Sequence, residues 1–322
     1  MKRKRLLTIT SLALVLGLTV ATGAGSTYIP RAEEKEVTKY TYPMEIYSIT
    51  GNRNFANSRI NFIHIYDKLK GNDNFANATI GKSPYGGYDM WFGGIEGDRN
   101  FTNMTADTAN KGKCLDMYVK NDLIGDDNFD GTVLREFYLR IGGTLKGRFG
   151  KVEVNDPVDE RYPVPYIRAG VLEDVDFSKL TKADIVVDKK VTGNCDYLFA
   201  NKDYVSVDLV SSYFDYKTTP TPVTISGKHL FKGCKEVVVN MYYTLNENYS
   251  KYNTIIDDPY LFEDLAECEK VTIYINCNKK ATGGGMYGDE TTADENAAEN
   301  SEYIKKLIAA GATVSRLGSD GV

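Results

Sequence analysis

The sequence predicts a β-rich solenoid: a parallel sheet on one face, irregular turns on the other, and a short C-terminal αβ cap. Three observations predict it. A seven-residue Gly- and Asn-rich block recurs along the chain. Apolar pairs two residues apart follow each block at a near-constant offset. An amphipathic segment closes the chain. Self-similarity at short period is the signature of stacked repeats, each too small to bury its own apolar side chains.

The block reads Gly51-Asn52-Arg53-Asn54-Phe55-Ala56-Asn57 and returns as Gly71-Asn72-Asp73-Asn74-Phe75-Ala76-Asn77. It returns again as Gly97-Asp98-Arg99-Asn100-Phe101-Thr102-Asn103 and Gly125-Asp126-Asp127-Asn128-Phe129-Asp130-Gly131. Weaker copies centre on Phe149, Phe177, Phe199, Phe231 and Phe262. Gly, Asn and Asp suit turns with positive φ, and the Phe is the residue a turn would bury. Eight and ten residues after the Phe stand Ile63/Ile65, Phe137/Leu139, Ile185/Val187, Val207/Leu209 and Val239/Met241. After Phe262 the pair falls one residue later, at Val271/Ile273. Spacing of two is strand periodicity. Phe75 and Phe101 reach their strands, near Met90-Trp91-Phe92 and Leu115–Val119, across insertions.

These blocks, the Phe231-Lys232-Gly233-Cys234 segment and the Val-x-Val or Val-x-Ile strands resemble BspA-type leucine-rich repeats, found in secreted and surface proteins. The resemblance covers about residues 45 to 278 and is strongest in the last three repeats. The chain departs from the family in its insertions, in few Leu at the usual positions, and in lacking Pro after the strand. The resemblance implies a parallel sheet along one face of a curved leucine-rich-repeat solenoid.

The ends read differently. Lys2-Arg3-Lys4-Arg5, an uncharged run Leu6–Val20 and small residues to Ser26 form the three parts of an export signal, taken as residues 1–24. The apolar run is short for a spanning helix, although an uncleaved anchor is the alternative reading. Residues 25–48 read as an N-terminal cap, 49–280 as the solenoid and 281–300 as a flexible acidic lead. Residues 301–322 read as an αβ cap: Ser301 caps a helix with Tyr303, Ile304, Leu307 and Ile308 on one face, Gly311 ends it, and Ala312-Thr313-Val314 returns as a strand. Asn155–Pro165, with three prolines, and Thr218–Pro222 are loops.

Composition narrows the function. The 322 residues carry 39 Lys and Arg against 44 Asp and Glu, a net charge of −5. That balance leaves no basic surplus for nucleic acid. There are 23 Tyr but only 2 His and 1 Trp, so routes to His-based catalysis or zinc ligation are few. His64 and His229 lie in distant repeats. The five Cys (Cys114, Cys195, Cys234, Cys268 and Cys277) match no CxxC pattern and read as buried thiols, with a disulfide between two of them open outside the cell. Asn77, Asn103 and Asn248 head sequons that matter only in a eukaryote. Asp126, Asn128 and Asp130 begin a calcium-loop pattern whose twelfth position is Phe137 where a bidentate Glu is needed, so no metal is expected. Gly283-Gly284-Gly285 lacks the context of a phosphate loop, and no cofactor motif occurs. Carboxylate pairs such as Asp257/Asp258 and Asp174/Asp176 are the only glycosidase-like feature.

If the apolar pairs point inward, their neighbours point outward. The outward positions include His64/Tyr66, Tyr138/Arg140, Val186/Asp188, Asp208/Val210, Asn240/Tyr242 and Thr272/Tyr274, joined by Trp91 and Tyr118. Rings on a rigid sheet offer contact area at low entropy cost. The expected ligand face is therefore Tyr66, Trp91, Tyr118, Tyr138, Arg140, Asp208, Tyr242 and Tyr274. The expected function is an exported, non-catalytic module binding a host or bacterial surface protein or glycan. It would be secreted or cell-surface associated, with membrane contact only through the export signal. The alternatives are a secreted glycan-directed hydrolase using Asp/Glu and a structural envelope component.

Overall fold

The computed structural model describes residues 8–9, 39–40, 44–81, 90–106, 114–155, 164–209, 223–242, 253–277, 280–281, 290–291, 302–310 and 313–316. They are mostly strands, in two compact units: Met1–Gly143 with Gly147–Pro165, and Thr144–Lys146 with Tyr166–Val322. The boundary at Pro165 ends the Pro-rich segment, of which 156–163 lie outside the described residues, as do 218–222, Asn248, 283–285 and Ser301. Of the expected export signal only Thr8–Ile9 is described, a strand parallel to Ser48–Ile49.

In the first unit the strands Ser48–Thr50, Ile63–Lys70, Met90–Glu96, Cys114–Val119 and Glu136–Arg148 form a parallel sheet. Parallel pairing of successive strands follows when each turn of chain climbs one rung and returns to the same face. Ile63, Met90, Met117 and Leu139 stand in one row, and Ile65, Phe92, Val119 and Ile141 in the next. All eight are buried. The register therefore aligns Leu139/Ile141, not Phe137/Leu139, with Ile63/Ile65, because two more residues lie between Phe129 and the aligned position than between Phe55 and Ile63.

The opposite side of this unit is not irregular, contrary to expectation. Arg59–Ile60, Thr79–Ile80, Thr105–Ala106, Thr132–Leu134 and Val152–Val154 form a second parallel sheet, with Lys39–Tyr40 at its edge. The seven-residue block builds the turn between the sheets, and each of its positions becomes a column. Phe55, Phe75, Phe101, Phe129 and Phe149 stack with centroids 5.1, 5.2, 4.9 and 5.4 Å apart. One residue before them, Asn54, Asn74, Asn100 and Asn128 form a buried ladder. Asn54 Nδ2 donates to Asn74 Oδ1 (2.6 Å), Asn74 Nδ2 to Asn100 Oδ1 (2.9 Å), and the Asn100 backbone N–H to Asn128 Oδ1 (2.8 Å). Two residues before the Phe, Arg53, Asp73, Arg99 and Asp127 all take positive φ. Arg99 grips Asp73 with both Nε (2.9 Å) and Nη2 (3.2 Å), and Arg148 pairs with Asp127. Four before it stand Gly51, Gly71, Gly97 and Gly125, at φ between 120° and 143°. A Cβ on Gly97 would lie 2.1 Å from the Gly71 carbonyl oxygen, so the coils approach too closely there for any side chain.

The same packing accounts for the calcium-like pattern. Asp126 Oδ1 accepts from the Arg148 backbone N–H (2.9 Å), Asp130 Oδ1 from that of Lys151 (2.9 Å), and Asn128 is buried in the ladder. Asn77 and Asn103 are likewise ladder residues: Asn77 Nδ2 donates to Asn57 Oδ1 (3.2 Å) and Asn103 Nδ2 to Asn77 Oδ1 (3.1 Å).

In the second unit Tyr166–Asp176, Lys182–Thr192, Tyr204–Asp208, Glu236–Tyr242, Lys270–Cys277 and Thr313–Arg316 form a parallel sheet. Ile185, Val207, Val239 and Ile273 share a buried row, and Met241 lies opposite Ile275. The last inward pair is thus Ile273/Ile275, and Val271 is half-buried. The reason lies upstream: a helix, Leu261–Ala266, replaces the turn, and it buries Leu261 and Leu265 while Phe262 stays half-exposed. Phe177, Phe199 and Phe231 are buried as expected, the last two stacked at 5.5 Å. The helix Glu302–Ala309 buries Ile304 and Leu307, Tyr303 accepts a hydrogen bond from the Ile256 N–H (3.3 Å), and Ile308 faces solvent. Of the expected acidic lead, only Ala281 and Glu290–Thr291 are described, in an antiparallel pair with Lys280.

Cys195, Cys234 and Cys268 are free thiols. Burial raises all three thiol pKa values, that of Cys268 to about 11. The side chains of Cys114 and Cys277 lie outside the described residues.

Candidate functional site

The outward face of the first unit's sheet gathers rings from three adjacent strands. Backbone register places Glu45, His64, Trp91, Tyr118 and Arg140 in one rung across five strands. Parallel strands repeat every ~4.8 Å, so rings at matched positions must touch. His64 lies 4.0 Å from Tyr66 and 4.1 Å from Trp91, centroid to centroid. Trp91 lies 6.4 Å from Tyr66 and 6.0 Å from Tyr118. A register shift between Ile65 and Lys68 interrupts the pairing at Tyr66, which is 38% exposed, before it resumes at Lys68 opposite Gly94.

The next rung back holds Asp116 opposite Tyr138. Arg140 pairs with Asp116 and lies over the Tyr138 ring, 5.7 Å from its centroid. Partial burial pushes the Asp116 carboxyl above its usual range, against the pull of Arg140. Burial between two rings lowers the His64 imidazole, with Glu45 opposing, and its Nε2 has no hydrogen-bond partner. The result is a strip of tilted, touching rings, Tyr66–His64–Trp91–Tyr118, ending in a charged pair.

The remaining expected residues sit on the second unit's sheet face, which has another character. Asp208, Asn240 and Tyr274 share a rung with Arg168 and Val186, and Tyr274 is 39% exposed. Arg168 grips Asp188 through Nε (2.8 Å) and Nη2 (2.9 Å). Burial raises the Asp184 carboxyl, and the nearby charge of Asp208 adds to this while the Ser206 hydroxyl opposes it. The backbone of Tyr242 lies opposite Asn276; its side chain lies outside the described residues. This face is polar and ion-paired.

Sequence reasoning missed a third group. Tyr197 and His229 stand two residues before Phe199 and Phe231, in the second unit's turns. Their rings stack at 5.4 Å and 18°, and His229 stacks on Tyr260 at 4.0 Å and 14°. His229 Nδ1 lies 3.1 Å from Oδ1 of the buried Asp264. The signal was present in the column spacing, since Tyr260 likewise stands two residues before Phe262, but in that repeat the Phe lies within the helix Leu261–Ala266 instead of a turn.

The expected carboxylate pairs are turn-formers. Asp258 accepts backbone hydrogen bonds from His229 (3.2 Å), Leu230 (2.8 Å) and Tyr260 (2.8 Å), Asp174 from Asn194 (3.0 Å), and Asp176 from Ser178 (2.8 Å). Among the described residues, no group of three or more His, Cys, Asp or Glu is placed to hold a metal ion. No family model, curated protein or solved structure matches the chain.

Proposed function

We propose that the protein is an exported, non-catalytic repeat protein of the BspA-like kind that holds a glycan on its aromatic strip at or near a cell surface. One observation carries the reading: Tyr66, His64, Trp91 and Tyr118 form a continuous run of rings on a rigid parallel sheet. Ring faces take the C–H faces of sugars, and ring edges with the flanking Arg140 and Asp116 meet hydroxyls. A strip open along the sheet face suits an extended polymer. The basic and apolar N-terminal segment supports export.

Trp91 is the single Trp, so its fluorescence reports this strip alone. The test is titration with soluble xylan, mannan, β-glucan and chito-oligosaccharides. A saturable change in Trp91 emission is expected with at least one of them. Tyr118→Ala and Tyr66→Ser should raise the half-saturation concentration at least tenfold with the circular dichroism unchanged. Unaltered binding in both variants would remove the strip from the reading. Release of new reducing ends by the native chain would replace it with a hydrolase.

A further inference from the structure

The second unit carries an aromatic column that its fold does not require. In the first unit, the position two residues before the Phe is filled by Arg53, Asp73, Arg99 and Asp127, all at positive φ. In the second unit the same position holds Tyr197 (φ 60°) and His229 (φ 57°). Positive φ is costly for a bulky residue, and such outliers cluster where they serve a function. The turn tolerates a charged residue, as the first unit shows, so its geometry alone does not call for a ring.

The column is also held in place from behind. The buried Asp258 carboxylate fixes the backbone on both sides, through the N–H groups of His229, Leu230 and Tyr260. Asp264, 3% exposed, orients the His229 ring through Nδ1, and its own Oδ2 has no partner. Buried carboxylates behind an imidazole order it before any ligand arrives. Meanwhile Tyr197 is 52% exposed and Tyr260 36% exposed, so the ordered rings stay in water.

We propose that Tyr197, His229 and Tyr260 form a second saccharide site, on the turns of the second unit and independent of the sheet-face strip. The exposed neighbours Asp196, Lys228 and Asp257 are charged, which suits sugar hydroxyls. A protein hot spot calls instead for an apolar surround that excludes water.

His64 and His229 are the two histidines of the chain, one in each aromatic group, so imidazole NMR reads both sites separately. The experiment titrates the full chain carrying Tyr118→Ala with xylo-, manno- and chito-oligosaccharides. The His229 ring signals should move saturably. Tyr197→Ala should weaken that response at least tenfold. Tyr197→Asn, a residue at ease with positive φ, should raise the melting temperature while losing the response, the mark of strain kept for binding. His229 signals that move with no saccharide would overturn the proposal, and so would Tyr197→Asn binding as tightly as the parent. Failure of the sheet-face strip would appear instead as flat Trp91 emission, with His229 still responding.

Discussion

The two units build one kind of coil from different chemistry. Just before the buried Phe, the first unit has Asn54, Asn74, Asn100 and Asn128, and the second has Leu198 and Leu230. One residue earlier, the first has alternating Arg and Asp, and the second has Tyr and His. On the sheet face the contrast reverses: rings in the first unit, ion pairs and carboxylates in the second. A turn column needs only that neighbouring coils satisfy one another. Amide ladders do so by hydrogen bonds, Leu by packing, and rings by stacking. The surface chemistry of each unit is therefore free to vary while the coil persists.

The largest test of this contrast is at the common element. Phe101→Ala removes a ring stacked on both Phe75 and Phe129 and should cost about 4 kcal/mol. Phe231→Ala, with Phe199 as its stacked partner, should cost somewhat less by denaturant titration. Equal losses would mean that the stack adds nothing beyond burial.

Next are the inner columns. Asn74→Leu breaks the ladder on both sides and leaves the buried Asn54 backbone N–H without its Asn74 Oδ1 acceptor, a loss of about 2–3 kcal/mol. The reciprocal Leu198→Asn buries an amide with no ladder to join and should lose a similar amount. If either exchange is tolerated, the two columns are interchangeable and the contrast collapses.

Lys202 tests the second unit's interior. It is 1% exposed, and its Nζ donates to the Ala200 carbonyl (2.9 Å). Burial lowers its pKa below the 10.5 of a free Lys. The unfolded chain therefore binds the proton more tightly, and stability falls as pH drops from about 10.5 through the folded value. Lys202→Met should raise stability at neutral pH by about 1 kcal/mol and flatten that alkaline dependence.

His64 tests the strip. Its folded pKa lies below 6.5, so the neutral form is favoured in the folded state. The stabilisation is complete above the unfolded pKa and is lost as pH falls from 6.5 through the folded value. Imidazole NMR should show His64 titrating below 6.5, and His64→Phe should remove that part of the acid sensitivity. A His64 that titrates at or above 6.5 would mean an open, solvated strip.

The smallest effect is expected at the outer ion column. Arg99→Ala loses an exposed pair with Asp73 and should change stability by about 0.5 kcal/mol. A loss above about 1 kcal/mol would show that the alternating charges act as a network.

The repeat, the buried Phe and the outward rings were legible because each follows from a local period. Phe149 was visible as a weak copy for the same reason. What escaped depended on neighbours in other coils. The second sheet of the first unit is made of two- and three-residue strands, such as Arg59–Ile60, too short to show periodicity. Phe262 gave way to Leu261 and Leu265 because a helix turned the other side inward. Lys202 reads as a surface residue, yet it is buried three residues after its Phe, as Cys234 is in its own unit and as Ser58, Ala78 and Met104 are at the equivalent position of the first unit.

The amino-acid sequence by itself determined that coils would form and stack, since Gly, Asn and Phe at fixed spacing leave few other ways to bury the rings. Tertiary structure alone decided the register, and with it which side chains meet. Trp91 reaches His64 and Tyr118, residues 27 positions away in each direction, only because parallel strands align at a two-residue period. Tyr197, His229 and Tyr260 share a position two residues before Phe199, Phe231 and Phe262, but their rings meet only where the intervening loops bring those coils side by side. Contact between coils is set by where each loop closes, and no local pattern records that.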